Sequence, residues 1–279
     1  MVLLATVCWS LAGMFVRLVP GLNGWQINCW RGFSMGVVLM LWLLLIYGRN
    51  TPARFREIPL GAMISSAGFF ALGSTMYVTA LTFTSTANVS ALGATAPVFT
   101  GIMAGLIMKE RASLAAWIAA MIALAGVTFI VREGLSPDDW LGNLIALATA
   151  FAFAGQTVTL RRYRSFDMIP AIAVGGFATF ALAGLAGGFF VPAETLAVLC
   201  LMGLIQLAIP LVLYARGAKS VPAITLSLIA LMDVVLNPFW SWAVMREMPT
   251  SAAIIGGLVI FAAVMISVLG TPRAPTVEN

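Results

Sequence analysis

Stretches of about twenty apolar residues follow one another along almost the whole chain, parted by connections too short to fold alone. Residues 114–131, "LAAWIAAMIALAGVTFIV", carry no charge, and comparable runs lie on either side. About 20 apolar residues in a helix cross the hydrocarbon core of a bilayer. With 61% hydrophobic and 9% charged residues, against roughly a quarter charged in soluble domains, the expectation is an all-α integral membrane protein without a soluble domain.

Hydrophobic runs and their punctuation predict ten transmembrane helices, at 2–19, 25–47, 59–81, 87–108, 113–131, 141–160, 168–190, 195–217, 222–245 and 250–269. Turn signals fall at Pro20-Gly21, Asn23-Gly24, Thr51-Pro52 and Ser136-Pro137, and Ser113 and Thr250 suit N-caps. The first run lacks a charged leader and is not read as a cleaved signal peptide. Eleven of the 15 Lys and Arg fall in the even-numbered connections and the tail, and Arg17, Arg132 and Arg246 fall on the other side. The positive-inside rule then puts both termini in the cytoplasm.

The composition also removes function classes. There is no His, which excludes Ser-His-Asp and Cys-His catalysis and histidine metal sites. Cys8, Cys29 and Cys200 lie in apolar runs without metal-ligand spacing, so no metal or other cofactor is expected. The net charge of +5 comes from scattered loop residues and not from a stripe, which speaks against nucleic acid as a partner. No nucleotide-binding loop is present, so neither ATP hydrolysis nor an ATPase subunit is implied. The expected partners are a small-molecule substrate and the lipid bilayer, with the chain a monomer or a homodimer.

A repeat emerges from two charged pairs. "LIMKERAS" (106–113) and "AVMREMPT" (243–250) each place a basic residue and Glu after Met between apolar runs. A shift of 137 residues lays Lys109 and Glu110 on Arg246 and Glu247, Tyr77 on Tyr214, and Ala71 on Ala208; near the front a shift of 142 lays Trp9 on Phe151. The chain is read as two five-helix units, 1–134 and 138–270, with a polar tail at 271–279. Five is odd, so the second unit enters the membrane inverted, a plan that recurs in alternating-access transporters. The four residues of the charged pairs are read as structural charges at the membrane edge, where Glu110 and Glu247 can approach the N-terminus of the next helix.

Several segments carry a family likeness: "VCWSLAGMFVR", "INCWRGFSMG", "YVTALTFTSTANVSALGATAPVFTGIMAGLIMKE" and "LYARGAKSVPAITLSLIALMDVVLNPFWSWAVMRE". Together they resemble the drug/metabolite transporter superfamily and, within it, the ten-helix EamA-type exporters, including bacterial exporters of aromatic amino acids. The resemblance implies a transporter and not an enzyme, multi-pass in a bacterial inner membrane, with a central cavity between the halves and export of amino acids or related amphipathic metabolites. A nucleotide-sugar or drug exporter of the same fold, and a membrane-embedded enzyme acting on lipid-linked substrates, are the alternatives. Pro97 matches the family's proline in the fourth helix, whereas the ninth has Val234 there and Pro238 later, so any kink in the ninth is expected to be displaced.

Helical spacing selects the substrate-binding candidates. Tyr77 lies on one face with Phe69 and Gly73, and Tyr214 with Gln206 and Pro210. Asn88 and Thr95 mark a polar face of the fourth helix, Trp9 lies in the first, and Phe153 and Gln156 lie in the sixth. Arg31 and Asp233 are charges well inside spans, where charge is expensive. Asp233 is the candidate for neutralising a substrate ammonium or carrying a proton, and Arg31 is read as structural.

Overall fold

In hydrocarbon every backbone N–H and C=O must be paired within the chain, so runs this apolar close into helices. The computed structural model describes residues 1–16, 18–132, 140–245 and 250–270, and among them every regular element is helical. In the first half these are α1 (Val2–Ser10), α2 (Ala12–Val16), α3 (Gly24–Tyr47), α4 (Thr51–Glu57), α5 (Leu60–Phe83), α6 (Thr86–Gly93), α7 (Ala96–Met108) and α8 (Leu114–Val131). The second half holds α9 (Trp140–Arg162), α10 (Ile169–Gly187), α11 (Ala193–Met202), a π-helical turn (Gly203–Ala208), α12 (Ile209–Gly217), α13 (Ala223–Ala230), α14 (Met232–Met245) and α15 (Ser251–Leu269).

Among the described residues seven helical stretches are long and apolar enough to cross a membrane, and three shorter apolar ones are Val2–Val16, Leu114–Ile130 and Ala223–Leu236. Large apolar side chains such as Leu45, Leu106, Leu114 and Leu185 point outward. The chain is a multi-pass membrane protein.

Local chemistry sets the helix starts. Asn23 forms a capping box with Gln26, and Ser113 and Thr250 accept from the backbone N–H three residues on, as their positions predicted. Thr51-Pro52, expected to be only punctuation, instead opens α4, where proline's missing N–H costs nothing in the first turn. Arg54 of this helix pairs with Glu57 at 2.8 Å and stacks over Tyr47, 4.5 Å from the ring centroid.

Two runs expected to be continuous are broken at matching points. The 87–108 run breaks at Ala94 and Thr95, with Pro97 in the first turn of α7. The 222–245 run breaks at Leu231, 137 residues beyond Ala94, and α14 continues through position 238. The break falls seven residues before Pro238. What supports the second break is tertiary: Thr6 of α1 donates to the Ile229 carbonyl at 3.3 Å, just before the break. The same carbonyl also accepts from the Leu231 N–H, and the Thr6 hydroxyl is shared with the Val2 carbonyl at 3.1 Å.

The halves interleave. α10 packs on α3 and α5, α5 on α9, α8 on α15, and α1 on α12, α13 and α14. Small residues permit the approach. A Cβ on Gly176 would lie 2.7 Å from the Gly32 carbonyl oxygen, and one on Gly203 would lie 2.5 Å from that of Arg31.

Candidate functional site

Three of the predicted side chains meet although they come from distant parts of the chain. Trp9 of α1, Phe153 of α9 and Tyr214 of α12 form an aromatic triangle with centroid separations of 5.2 Å for Trp9–Tyr214, 6.0 Å for Phe153–Tyr214 and 6.2 Å for Trp9–Phe153. Tilted and edge-on pairs of this kind each contribute about 0.5–1.5 kcal/mol beyond area burial. The Tyr214 hydroxyl lies 3.0 Å from Thr157 Oγ1, one helical turn beyond Phe153. Thr157 was not singled out from sequence, although its i+4 spacing from Phe153 was visible.

Tyr77, equivalent to Tyr214 under the repeat shift, is in the opposite condition. It is 42% exposed and Tyr214 is 1% exposed.

Arg31 donates through Nε and Nη2 to Asn28 Oδ1 at 3.3 and 3.1 Å, and Ser74 of α5 donates to the same oxygen at 2.6 Å. Ser74 lies three residues before Tyr77, so the clamp sits beside the tyrosine on the same helix. Asp233 is partly exposed in the first turn of α14.

The polar candidates separate by environment. Asn88 Nδ2 donates to Thr84 Oγ1 at 2.7 Å and Asn143 Oδ1 at 2.8 Å, tying α6 to α9. Gln156 donates to Ser66 Oγ at 3.1 Å, and Thr95 donates to the Leu92 carbonyl at the helix break. Gln206 is 1% exposed, and neither amide atom has a hydrogen-bond partner among the described residues. It lies in the π-helical turn, which interrupts the i, i+4, i+8 alignment with Pro210 and Tyr214 expected from an unbroken α-helix.

A charged cluster ties four helix ends together. Glu110, just past α7, accepts from Arg161 Nε of α9 at 3.0 Å and from the Ala223 backbone N–H at the start of α13, also at 3.0 Å. Arg161 also donates to the Ala218 and Lys219 carbonyls beyond α12, at 2.9 and 3.1 Å. Glu110 thus caps α13 and not the next helix, α8, whose first turn Ser113 already caps. Lys109 takes the left-handed conformation (φ 57°), closing α7 with the Glu110 N–H on the Ala104 carbonyl. Arg246, Glu247, Arg17, Asp138 and Asp139 lie outside the described residues, as do the side chain of Pro238 and the 271–279 tail.

Among the described residues no three His, Cys, Asp or Glu side chains gather as metal ligands. A groove on the outer face of α8, lined by Met121, Leu124, Thr128 and Phe129 among others, includes none of the residues above.

The model of the EamA-like transporter family matches residues 1–132 and 140–269. An uncharacterized transporter of Helicobacter pylori is 25% identical over 193 residues, covering 68% of this chain and 63% of its own length. The uncharacterized transporter YdfC of Bacillus subtilis is 29% identical over 197 residues, covering 64% and 61%. The chain thus spans a little over three-fifths of the length of these relatives. A crystal structure aligns with a TM-score of 0.82 over 95% of this chain and 94% of that one; at 20% identity this likeness shows the fold alone.

Proposed function

Because the chain belongs to the EamA-like transporter family, we propose that it exports amino acids and related small amphipathic metabolites across a bacterial inner membrane by alternating access. Family membership and the transporter relatives speak for transport over enzymatic activity. In this reading ten spans form two inverted repeats, 1–134 and 138–270, with both termini cytoplasmic. The paired helix breaks at Ala94 and Leu231 support the repeat. So does the packing: α5 on α9 answers α12 on α1, and α7 on α9 answers α14 on α1.

The observation that carries the proposal is the contrast between Tyr77, 42% exposed, and Tyr214, 1% exposed. Two equivalent positions in unlike environments are what an inverted repeat produces when one side is open and the other closed. The Tyr214 side is the closed one, sealed by the Trp9 and Phe153 rings and, at the cytoplasmic edge, by the Glu110–Arg161 cluster. Asp233, a charge inside a span, is assigned to charge coupling.

Liposomes containing only the purified protein and loaded with unlabelled amino acids test the proposal. Saturable uptake of labelled substrate by counterflow is expected. Absence of flux for every compound in a broad panel, with folded protein, would count against transport. Product formed from a lipid-linked substrate without flux would favour the enzyme reading instead.

A further inference from the structure

Three basic segments are drawn to one place at the ends of α7, α9 and α12. Arg161 of α9 reaches Glu110 and the Ala218 and Lys219 carbonyls. Arg162 Nη1 donates to the Ile107 carbonyl in the last turn of α7 at 2.8 Å, and Arg164 Nη1 donates to the Lys219 carbonyl at 3.3 Å. Around these bonds Lys109, Arg111, Arg162, Arg164, Arg216 and Lys219 are all exposed. Among the described residues the ion pairs are Arg54–Glu57 and Arg161–Glu110, so none of these six cations meets a carboxylate at ion-pair distance. Glu110 is engaged by Arg161, and Asp167 accepts from the Tyr47 hydroxyl and the Ile169 N–H. The positive-inside rule accounts for cations in each connection but not for the meeting of three connections. Leu106 and Ile107 in the last turn of α7 and Leu114 in the first turn of α8 are exposed apolar side chains on either side of Lys109 and Arg111. The cluster therefore borders the hydrocarbon. Tyr163, with the Arg162 guanidinium carbon 5.7 Å from its ring centroid, is a residue type favoured at that depth. Arg162 and Arg164 are each held through one nitrogen, which leaves the rest of each planar fork for phosphate oxygens.

We propose that these three helix ends form a headgroup site for an anionic phospholipid of the surrounding bilayer, with Arg162 and Arg164 donating to its phosphate and Lys109, Arg111 and Lys219 adding positive charge. Its acyl chains lie against the outward apolar side chains of α7 and α8. Clusters of several Lys and Arg at a membrane edge attract anionic lipid in this way. The flanking apolar side chains select a lipid over a free anion, which gains the guanidinium contacts but nothing from Leu106 or Leu114. The basic connection after α3 is different, because Arg54 is paired with Glu57 and stacked on Tyr47, leaving only Arg49 and Arg56 exposed. Lipid recognition at this site is independent of which compound the protein transports.

Native mass spectrometry of the full chain in a neutral detergent, counting bound lipid, tests the site with phosphatidylglycerol, phosphatidylcholine and inorganic phosphate as probes. Phosphatidylglycerol is expected to bind about tenfold or more tighter than phosphatidylcholine, and the preference should shrink as ionic strength rises. Arg162→Gln combined with Arg164→Gln should weaken phosphatidylglycerol by about tenfold and leave phosphatidylcholine unchanged. Arg49→Gln combined with Arg56→Gln should leave both lipids unchanged. Should the first pair fail to fold, Arg111→Gln combined with Lys219→Gln, which removes charge and keeps both arginine–carbonyl bonds, should weaken phosphatidylglycerol selectively. Equal affinity for the two lipids, or equal losses from the 49/56 and 162/164 pairs, overturns the proposal. Inorganic phosphate that displaces phosphatidylglycerol at equal concentration assigns the cations to a free anion and overturns it as well.

Discussion

Removing Glu110 should open the side of the protein that is closed in this structure. The carboxylate accepts from Arg161 Nε and the Ala223 N–H, each at 3.0 Å, and thereby joins the ends of α7, α9 and α13. Hydrogen bonds to charged groups contribute about 1.5–3 kcal/mol each. The Arg161 and Glu110 side chains retain 11% and 25% exposure, which calls for a discount toward the lower end. Taking about 2 kcal/mol for the pair of contacts, Glu110→Ala shifts the open-to-closed ratio by roughly 30-fold. Spin labels at Arg111 and Lys219, both exposed, report the separation of the α7 and α12 ends, with Cys8, Cys29 and Cys200 replaced beforehand. A single short distance is expected for the parent and a sizeable longer-distance population for Glu110→Ala. Arg161→Ala should do the same, and the double variant should fall well short of the sum because both act on one contact. Unchanged distances in both folded variants would refute the latch.

Other outcomes follow from the same geometry. Asn88→Ala leaves the Thr84 and Asn143 side chains without their shared donor and should lower stability by about 1–3 kcal/mol, read by thermal unfolding in detergent, while counterflow survives. Tyr214→Phe loses the bond to Thr157 but keeps the aromatic triangle, so its cost should stay near 1 kcal/mol in the same assay. Gly176→Leu forces side-chain bulk onto the Gly32 carbonyl oxygen and should abolish folded, monodisperse protein in size-exclusion chromatography. Asp233→Asn should reduce amino acid counterflow to a similar degree with and without an imposed pH gradient, if its role is to meet an ammonium; a loss confined to gradient-driven accumulation would mark it as a proton carrier.

Features decided within one helical turn were legible from sequence. Ser113 and Thr250 cap as their types dictate, and α3 and α15 begin and end within a residue or so of the expected limits. Trp9, Phe153 and Tyr214 were each selected singly, and their convergence depends on α1, α9 and α12 meeting in space, which no periodicity reports. The break at Ala94 has a visible cause in Pro97, whereas the one at Leu231 is served by a hydroxyl from α1, over two hundred residues away in sequence. The π-helical turn around Gln206 changes the helical register between Gly203 and Pro210, and a fixed 3.6-residue period passes over it. Glu110 was noticed for its repetition, but its partners, Arg161 and the start of α13, are distant in sequence, and Arg161 counted there only as a topology charge.

Paired accessibility of the two repeat-equivalent tyrosine positions tests alternating access most directly. Tyr77→Cys and Tyr214→Cys are made separately in a background with Cys8, Cys29 and Cys200 replaced, and each is treated with a membrane-impermeant maleimide. Position 77, 42% exposed, should react readily and position 214, 1% exposed, should be protected; adding Glu110→Ala should lower the first rate and raise the second. Rates that move in the same direction, or that do not respond to loss of the latch, would contradict two inverted halves opening in turn around one site.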